Sequence, residues 1–142
     1  MFKLPDRMEE IWFSIAKGER EIEVATRLNI TRQAVNKAVK EARAKITSMF
    51  LELAESLSLD IIRVNAEKGY MVARSRQLGL RVYAFYVPRR GVCVIFGMKP
   101  YCQGLENVCK AIVNTSKSLG LIHKDTRDLE IMINEIIKKV EE

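Results

Sequence analysis

From Thr31 to Leu57 the chain has neither glycine nor proline, and its apolar residues fall at Val35, Val39, Ala42, Ile46, Met49 or Phe50, Leu53 and Leu57. Steps alternating between four and three trace a seam along one side of a single helix. At about 1.5 Å per residue the helix reaches roughly 40 Å, so its two ends serve different neighbours. The seam must be covered, either by the rest of the chain as core or by a second subunit. Whatever lies on either side of this segment has to be built around it.

Before it stand two shorter helical patterns. Asp6 is placed to cap the first, whose apolar residues Met8, Ile11, Trp12, Ile15 and Ala16 recur at helical spacing until Lys17-Gly18. The second runs from Glu19 to Leu28 and stops at Asn29, a residue that tolerates the left-handed conformation of helix ends. Thr31 then caps the long helix.

After it the period changes to two. Residues 59–64, 70–76, 80–87 and 92–96 are β-branched or aromatic runs separated by Glu67-Lys68-Gly69, Gln77-Leu78-Gly79 and Pro88-Arg89-Arg90-Gly91; connections this short imply antiparallel hairpins. Helical spacing returns from about Leu105 to Leu119 and from about Thr126 to Val140. The expected fold class is therefore α+β. Residues 1–58 form a three-helical helix-turn-helix domain with a long third helix. Residues 59–142 form an antiparallel sheet with two helices, a domain that dimerises or senses an effector.

Composition adds limits. The chain is 48% hydrophobic and 30% charged, no apolar run approaches the roughly 20 residues of a membrane span, and the first residues lack a signal-peptide core; a cytoplasmic protein with no membrane partner is expected. The net charge of +6 favours a polyanionic partner without naming one. Cys93, Cys102 and Cys109 contain no C-x-x-C pair, so neither a disulfide framework nor a zinc knuckle is implied, and buried thiols are expected. If helical, Cys102 and Cys109 share one face. His123 is the only histidine. No nucleophile elbow, phosphate-cradling glycine loop or metal-spaced set is present, so neither enzyme activity nor a cofactor or metal is expected.

The segment Val24–Arg43 carries the functional signal. A helix-turn-helix needs a small residue where the helices cross, a left-handed-tolerant turn residue and apolar residues inside the second helix; Ala25, Asn29, Ile30, Val35 and Ala38 supply these. With Val35, Ala38, Val39 and Ala42 turned inward, Arg32, Gln33, Asn36, Lys37, Lys40 and Arg43 face outward. Arg pairs with guanine and Asn or Gln with adenine in the major groove. Arg32, Gln33, Asn36 and Lys37 are the expected base readers, and Thr31, Lys40 and Arg43 the expected phosphate contacts. From Thr31 to Lys45, five cations face one acid, a local +4, although residues 1–58 carry only ten cations against nine acids. The bland alternative is a solvated face of a three-helix bundle.

The stretch TRLNITRQAVNKAVKEARAKI resembles the helix-turn-helix of the archaeal Tfx family of DNA-binding proteins and, more loosely, the last conserved region of bacterial sigma factors. Both share a Thr/Ser-Arg-Gln-x-Val start to the recognition helix. The resemblance covers about 45 residues by motif. It implies an archaeal transcriptional regulator that binds double-stranded DNA, and two-fold symmetry would set its recognition helices roughly 34 Å apart.

Residues 59–103 hold eight cations against two acids, a local +6. Arginines alternating on one sheet face read first as a solvated face. Arg74, Arg76, Arg89 and Arg90 are also candidates for further phosphate contacts or for an anionic effector. Tyr83, Phe85, Phe96, Met98 and Tyr101 are alternatively core or the lining of an effector pocket. Lys68-Gly69-Tyr70-Met71-Val72 is similar to part of an RNA-recognition strand, although Ala73-Arg74-Ser75-Arg76 replaces the aromatic continuation. RNA binding or protein interaction through these strands is the alternative function.

Overall fold

The computed structural model describes residues 2–123 and 126–142. Helices α1 (Asp6–Ala16), α2 (Glu21–Leu28) and α3 (Arg32–Ser56) are followed by β1 (Leu59–Asn65), β2 (Tyr70–Ser75), β3 (Arg81–Val87) and β4 (Gly91–Phe96), then by α4 (Glu106–Ser118) and α5 (Leu129–Glu141). The strands form one antiparallel sheet in the order β1-β2-β3-β4. The fold is α+β with the expected layout.

Local chemistry sets the helix ends. Asp6 does not cap α1: Pro5 holds the N-cap position and Asp6 is the first helical residue, bonded to Lys3 at 2.9 Å. Pro5 has no amide proton to lose there, and an acid in the first turn suits the helix dipole. The second helix starts at Glu21 because the Glu23 carboxylate reaches back to accept the Arg20 amide proton at 2.9 Å. That hydrogen bond, with the Arg20 side chain beside it, holds the Glu23 carboxyl below the usual carboxylate range. Asn29 takes φ 54° and ψ 47°, the left-handed turn its side chain tolerates. Thr31 caps α3, its hydroxyl oxygen accepting from Ala34 N–H at 3.0 Å.

The seam of α3 is core of this same chain. Val35, Val39, Ala42, Ile46, Met49, Phe50 and Ala54 are all buried, which resolves the choice between core and subunit contact along most of the helix. One cluster joins Trp12, Ala42, Ile46, Met49 and Phe50 to Met71, Ala73, Val82, Ala84 and Tyr86 of the sheet. The boundary near residue 58 is thus a turn in the chain rather than a break in packing. A smaller cluster, Ile11, Val24, Ala25, Val35 and Val39, belongs to the three helices alone.

The opposite sheet face, with Val72, Tyr83, Phe85, Val87 and Ile95, packs on Cys109, Ile112, Ile133 and Ile136 of α4 and α5. The central strands are therefore buried on both sides, so the sheet has no open arginine-bearing face; Arg74, Arg76, Arg89 and Arg90 are solvent-exposed as expected, but at strand ends and turns. Residues 82–87 form an unbroken buried run because helices cover both faces, the pattern usual for parallel sheets reached here with antiparallel strands. Tyr83 and Phe85 are core, whereas Phe96 and Met98 are exposed; they do not line one pocket.

Buried polar groups lock α1 to the sheet. The Tyr86 hydroxyl donates to Glu9 Oε2 at 2.5 Å and accepts from Leu4 N–H at 2.7 Å, while Glu9 Oε1 accepts from Arg89 N–H at 2.9 Å. Burial and the neighbouring Glu9 push the Tyr86 phenol far above its ordinary range. Trp12 donates to Ala66 O at 3.0 Å and meets Tyr86 edge-on. Gly69 is required beneath it: φ is +76°, and an added Cβ would stand 2.9 Å from the Trp12 ring. The Lys68 ammonium donates to Ala16 O at 2.6 Å and Leu119 O at 3.4 Å, joining the C-terminal ends of α1 and α4.

Cys102 and Cys109 form a disulfide, which corrects the expectation of buried thiols. Cys102 lies before α4 rather than on it, so the pair closes a loop onto the helix instead of sharing a helix face. Cys93 is free and half-buried, and burial raises its thiol pKa.

Candidate nucleic-acid interface

The helix-turn-helix geometry follows from small residues and ion pairs. Ala25, 5% exposed, lies in the three-helix cluster, and its carbonyl accepts from Ile30 N–H at 3.0 Å, closing the turn around left-handed Asn29. Arg27 fixes α2 against α1 by donating to Ser14 Oγ at 2.9 Å and pairing with Glu19 at 3.0 Å and Glu10 at 3.6 Å. Arg7 reaches Leu28 O at 3.4 Å. The crossing that presents the start of α3 is thus held by apolar contact at its centre and by ion pairs at its rim.

On this frame Arg32, Gln33, Lys37 and Lys40 are exposed, and Asn36 and Arg43 are half-buried. With Glu21 and Glu41, five of them line an open depression of about 670 Å³ over the start of α3 (Arg32, Gln33, Asn36, Lys37 and Lys40). Asn36 Nδ2 donates to Glu21 Oε1 at 3.4 Å, a long bond that orients the amide while leaving its carbonyl free. Thr31 keeps its hydroxyl proton for an outside acceptor while its oxygen caps the helix. Arg43 lies further along: its Nε is buried without a hydrogen-bond partner, so only the outer end of the guanidinium is available to a phosphate.

Charge pairing separates these residues from the neighbouring helices. On α1, on α2 and at the N-cap of α2, Arg7, Arg27 and Arg20 each pair with a carboxylate. Among the described residues, no ion pair engages Arg32, Lys37, Lys40, Arg43 or Lys45. Positive charge left unpaired on one exposed helix face is what a phosphate-bearing ligand requires.

The sheet arginines do not line the depression over α3, and they fall into two separate groups. Arg74 and Arg76 lie at the Ser75 end of the sheet and Arg89 and Arg90 at the other, roughly 20 Å apart at strand spacing. Arg76 is engaged by Asp60 at 3.4 Å and Ser58 O at 3.3 Å. Arg81, not singled out from the sequence, pairs with Glu141 at 3.3 Å, and Arg63 donates to Val140 O at 2.6 Å near the C-terminus of α5. Tyr70, the aromatic of the RNA-like strand, is half-buried with its hydroxyl accepting from Asn65 at 3.3 Å. With both faces of the central strands packed, that strand offers no open stacking platform.

Comparison with family models, with curated protein sequences and with solved structures returns no match for this chain. No helix among the described residues is long and apolar enough to cross a membrane.

Proposed function

We propose that the protein is a sequence-specific double-stranded DNA-binding transcriptional regulator, of the Tfx-like kind its motif resembles, acting as a homodimer. The observation that carries this reading is the exposed start of α3, where Arg32, Gln33, Asn36 and Lys37 stand on a face whose cations no carboxylate among the described residues engages, while Arg7, Arg20 and Arg27 are paired off. In this reading Arg32, Gln33, Asn36 and Lys37 contact base edges, and Thr31, Lys40 and Arg43 contact phosphate.

The test is selection and sequencing of duplexes bound from a random pool, repeated with Asn36→Ala and Arg32→Ala. An enriched inverted repeat, with base preference lost at distinct positions and about 1–3 kcal/mol lost per variant, is the expected result. No enrichment, or equal binding by the variants, overturns the reading.

A further inference from the structure

Leu51, Leu57, Ile61 and Ile62 are 51%, 41%, 37% and 44% exposed. Leu51 lies in the second half of α3, Leu57 caps the C-terminal end of that helix, and Ile61 and Ile62 lie on β1, which packs against it. β1 is an end strand of the sheet, and among the described residues no backbone hydrogen bond reaches its outer edge. At the opposite edge the Phe2 carbonyl accepts from Val92 N–H at 3.0 Å. Single exposed apolar residues need no explanation, but two adjacent ones on an uncovered edge strand, with Leu51 and Leu57 exposed on the helix packed against it and at its end, do.

We infer that this edge is the contact with a second copy of the chain, related by a two-fold axis passing between Ile61 and Ile62. Charge complementarity identifies the occupant. Asp60 and Arg63 flank the two isoleucines symmetrically, and both lie on the same sheet face because they pair with Arg74 and Val72, two residues apart on β2. When two copies of β1 run antiparallel about that axis, Asp60 of each meets Arg63 of the other. A parallel alignment in the same register would instead oppose like charges. This self-complementarity is what an isologous interface requires. Arg63 spends one nitrogen on Val140 O and has further N–H donors for Asp60, whose Oδ1 already faces Arg76 of its own chain at 3.4 Å and whose second oxygen is left to accept from the other copy. The register shift at Ile62 opposes a continuous ladder across the edge, so the contact forms through side chains, with Ile61 and Ile62 central and Leu51 and Leu57 flanking. The surface supplies the dimer contact of the regulator proposed above, but it assembles without DNA.

Sedimentation velocity of the full chain over a concentration series, without nucleic acid, tests it. Wild type should dimerise reversibly, and Ile61→Asp with Ile62→Asp should be monomeric. Asp60→Lys and Arg63→Glu should each weaken the dimer by about tenfold or more by juxtaposing like charges, and the two combined should regain most of it. Circular dichroism melts confirm that each variant is folded; Asp60, largely exposed, can be reversed without touching the core. Wild type monomeric at every concentration, a dimer indifferent to the isoleucine changes, or a double reversal that restores nothing would each overturn the inference. Arg32→Ala should leave the dimer intact, so failure of the base-reading face and failure of this surface give different results.

Discussion

The two halves of α3 make opposite use of one continuous helix. From Ile46 onward, Ile46, Met49, Phe50 and Ala54 are buried against the sheet and α1. From Arg32 to Lys45 the same helix buries only Val35, Val39 and Ala42 on its inner side and turns outward amides and cations that make no ion pair among the described residues. With no break between them, the second half acts as a rigid anchor for the first. The side chains nearest a ligand rest on the small cluster of Val35 and Val39 beneath them and are continuous with the larger core of the second half, and outward and inward positions should be separable by mutation along one helix.

The largest expected effect tests the anchor. Phe50 is fully buried between α1 and the sheet, so Phe50→Ala should cost about 3–5 kcal/mol of unfolding free energy in urea titration. DNA affinity of the fraction that remains folded should stay near wild type. A small stability loss would mean that the anchor is not where the buried contacts place it.

The recognition half should behave in reverse. Arg32→Ala and Asn36→Ala should each lower specific DNA affinity by about 1–3 kcal/mol, with stability changed by no more than about 0.5 kcal/mol at exposed Arg32 and by no more than about 1 kcal/mol at half-buried Asn36, which loses one long hydrogen bond to Glu21. Lys40→Ala should weaken binding similarly on every sequence and reduce the salt dependence by about one counterion. A melting shift without an affinity change would mark the face as structural.

The same contrast explains how much of the molecule was legible in sequence. The seam, the strand runs and the left-handed Asn29 were readable because helix period, strand period and turn chemistry are local. What covers a face is not local. The run 82–87 has no polar alternation, a local hint of burial on both faces, but which helices cover each face is not written in it. The Glu9–Tyr86 bond joins residues 77 apart in sequence, and nothing near Glu9 marks it as buried. The outward residues of α3 could be named from the helix period, but their freedom from ion pairs could not, because it depends on which carboxylates α1 and α2 bring near. The disulfide had a weak local signal: Gly104 stands between Cys102 and α4, which argues against a shared helix face.

Tyr86 sharpens the anchor side through pH. Its phenol is raised by burial and by Glu9, so its protonated form contributes stability that is fully present below the unfolded tyrosine pKa of about 10. That contribution is lost as pH rises from there through the folded value. Tyr86→Phe should lower stability by about 1–3 kcal/mol at neutral pH, since Glu9 loses a buried donor. It should also flatten the decline of stability between about pH 10 and the alkaline limit of the titration. An unchanged alkaline limb would remove Tyr86 from the groups that hold α1 to the sheet.

The smallest effect lies at the junction of the two roles. Thr31 caps α3 with its oxygen and, in the proposed complex, donates its proton to phosphate. Thr31→Ala should cost about 1 kcal/mol of stability and also weaken DNA binding, so it cannot divide the roles. Thr31→Asp can. An aspartate caps at least as well and its charge suits the helix N-terminus, so stability should hold or rise slightly. The same charge would face the phosphate backbone, and DNA affinity should fall. Opposite movements in melting temperature and affinity would show that this position faces the duplex, whereas unchanged affinity would place Thr31 away from the DNA and leave it only its cap.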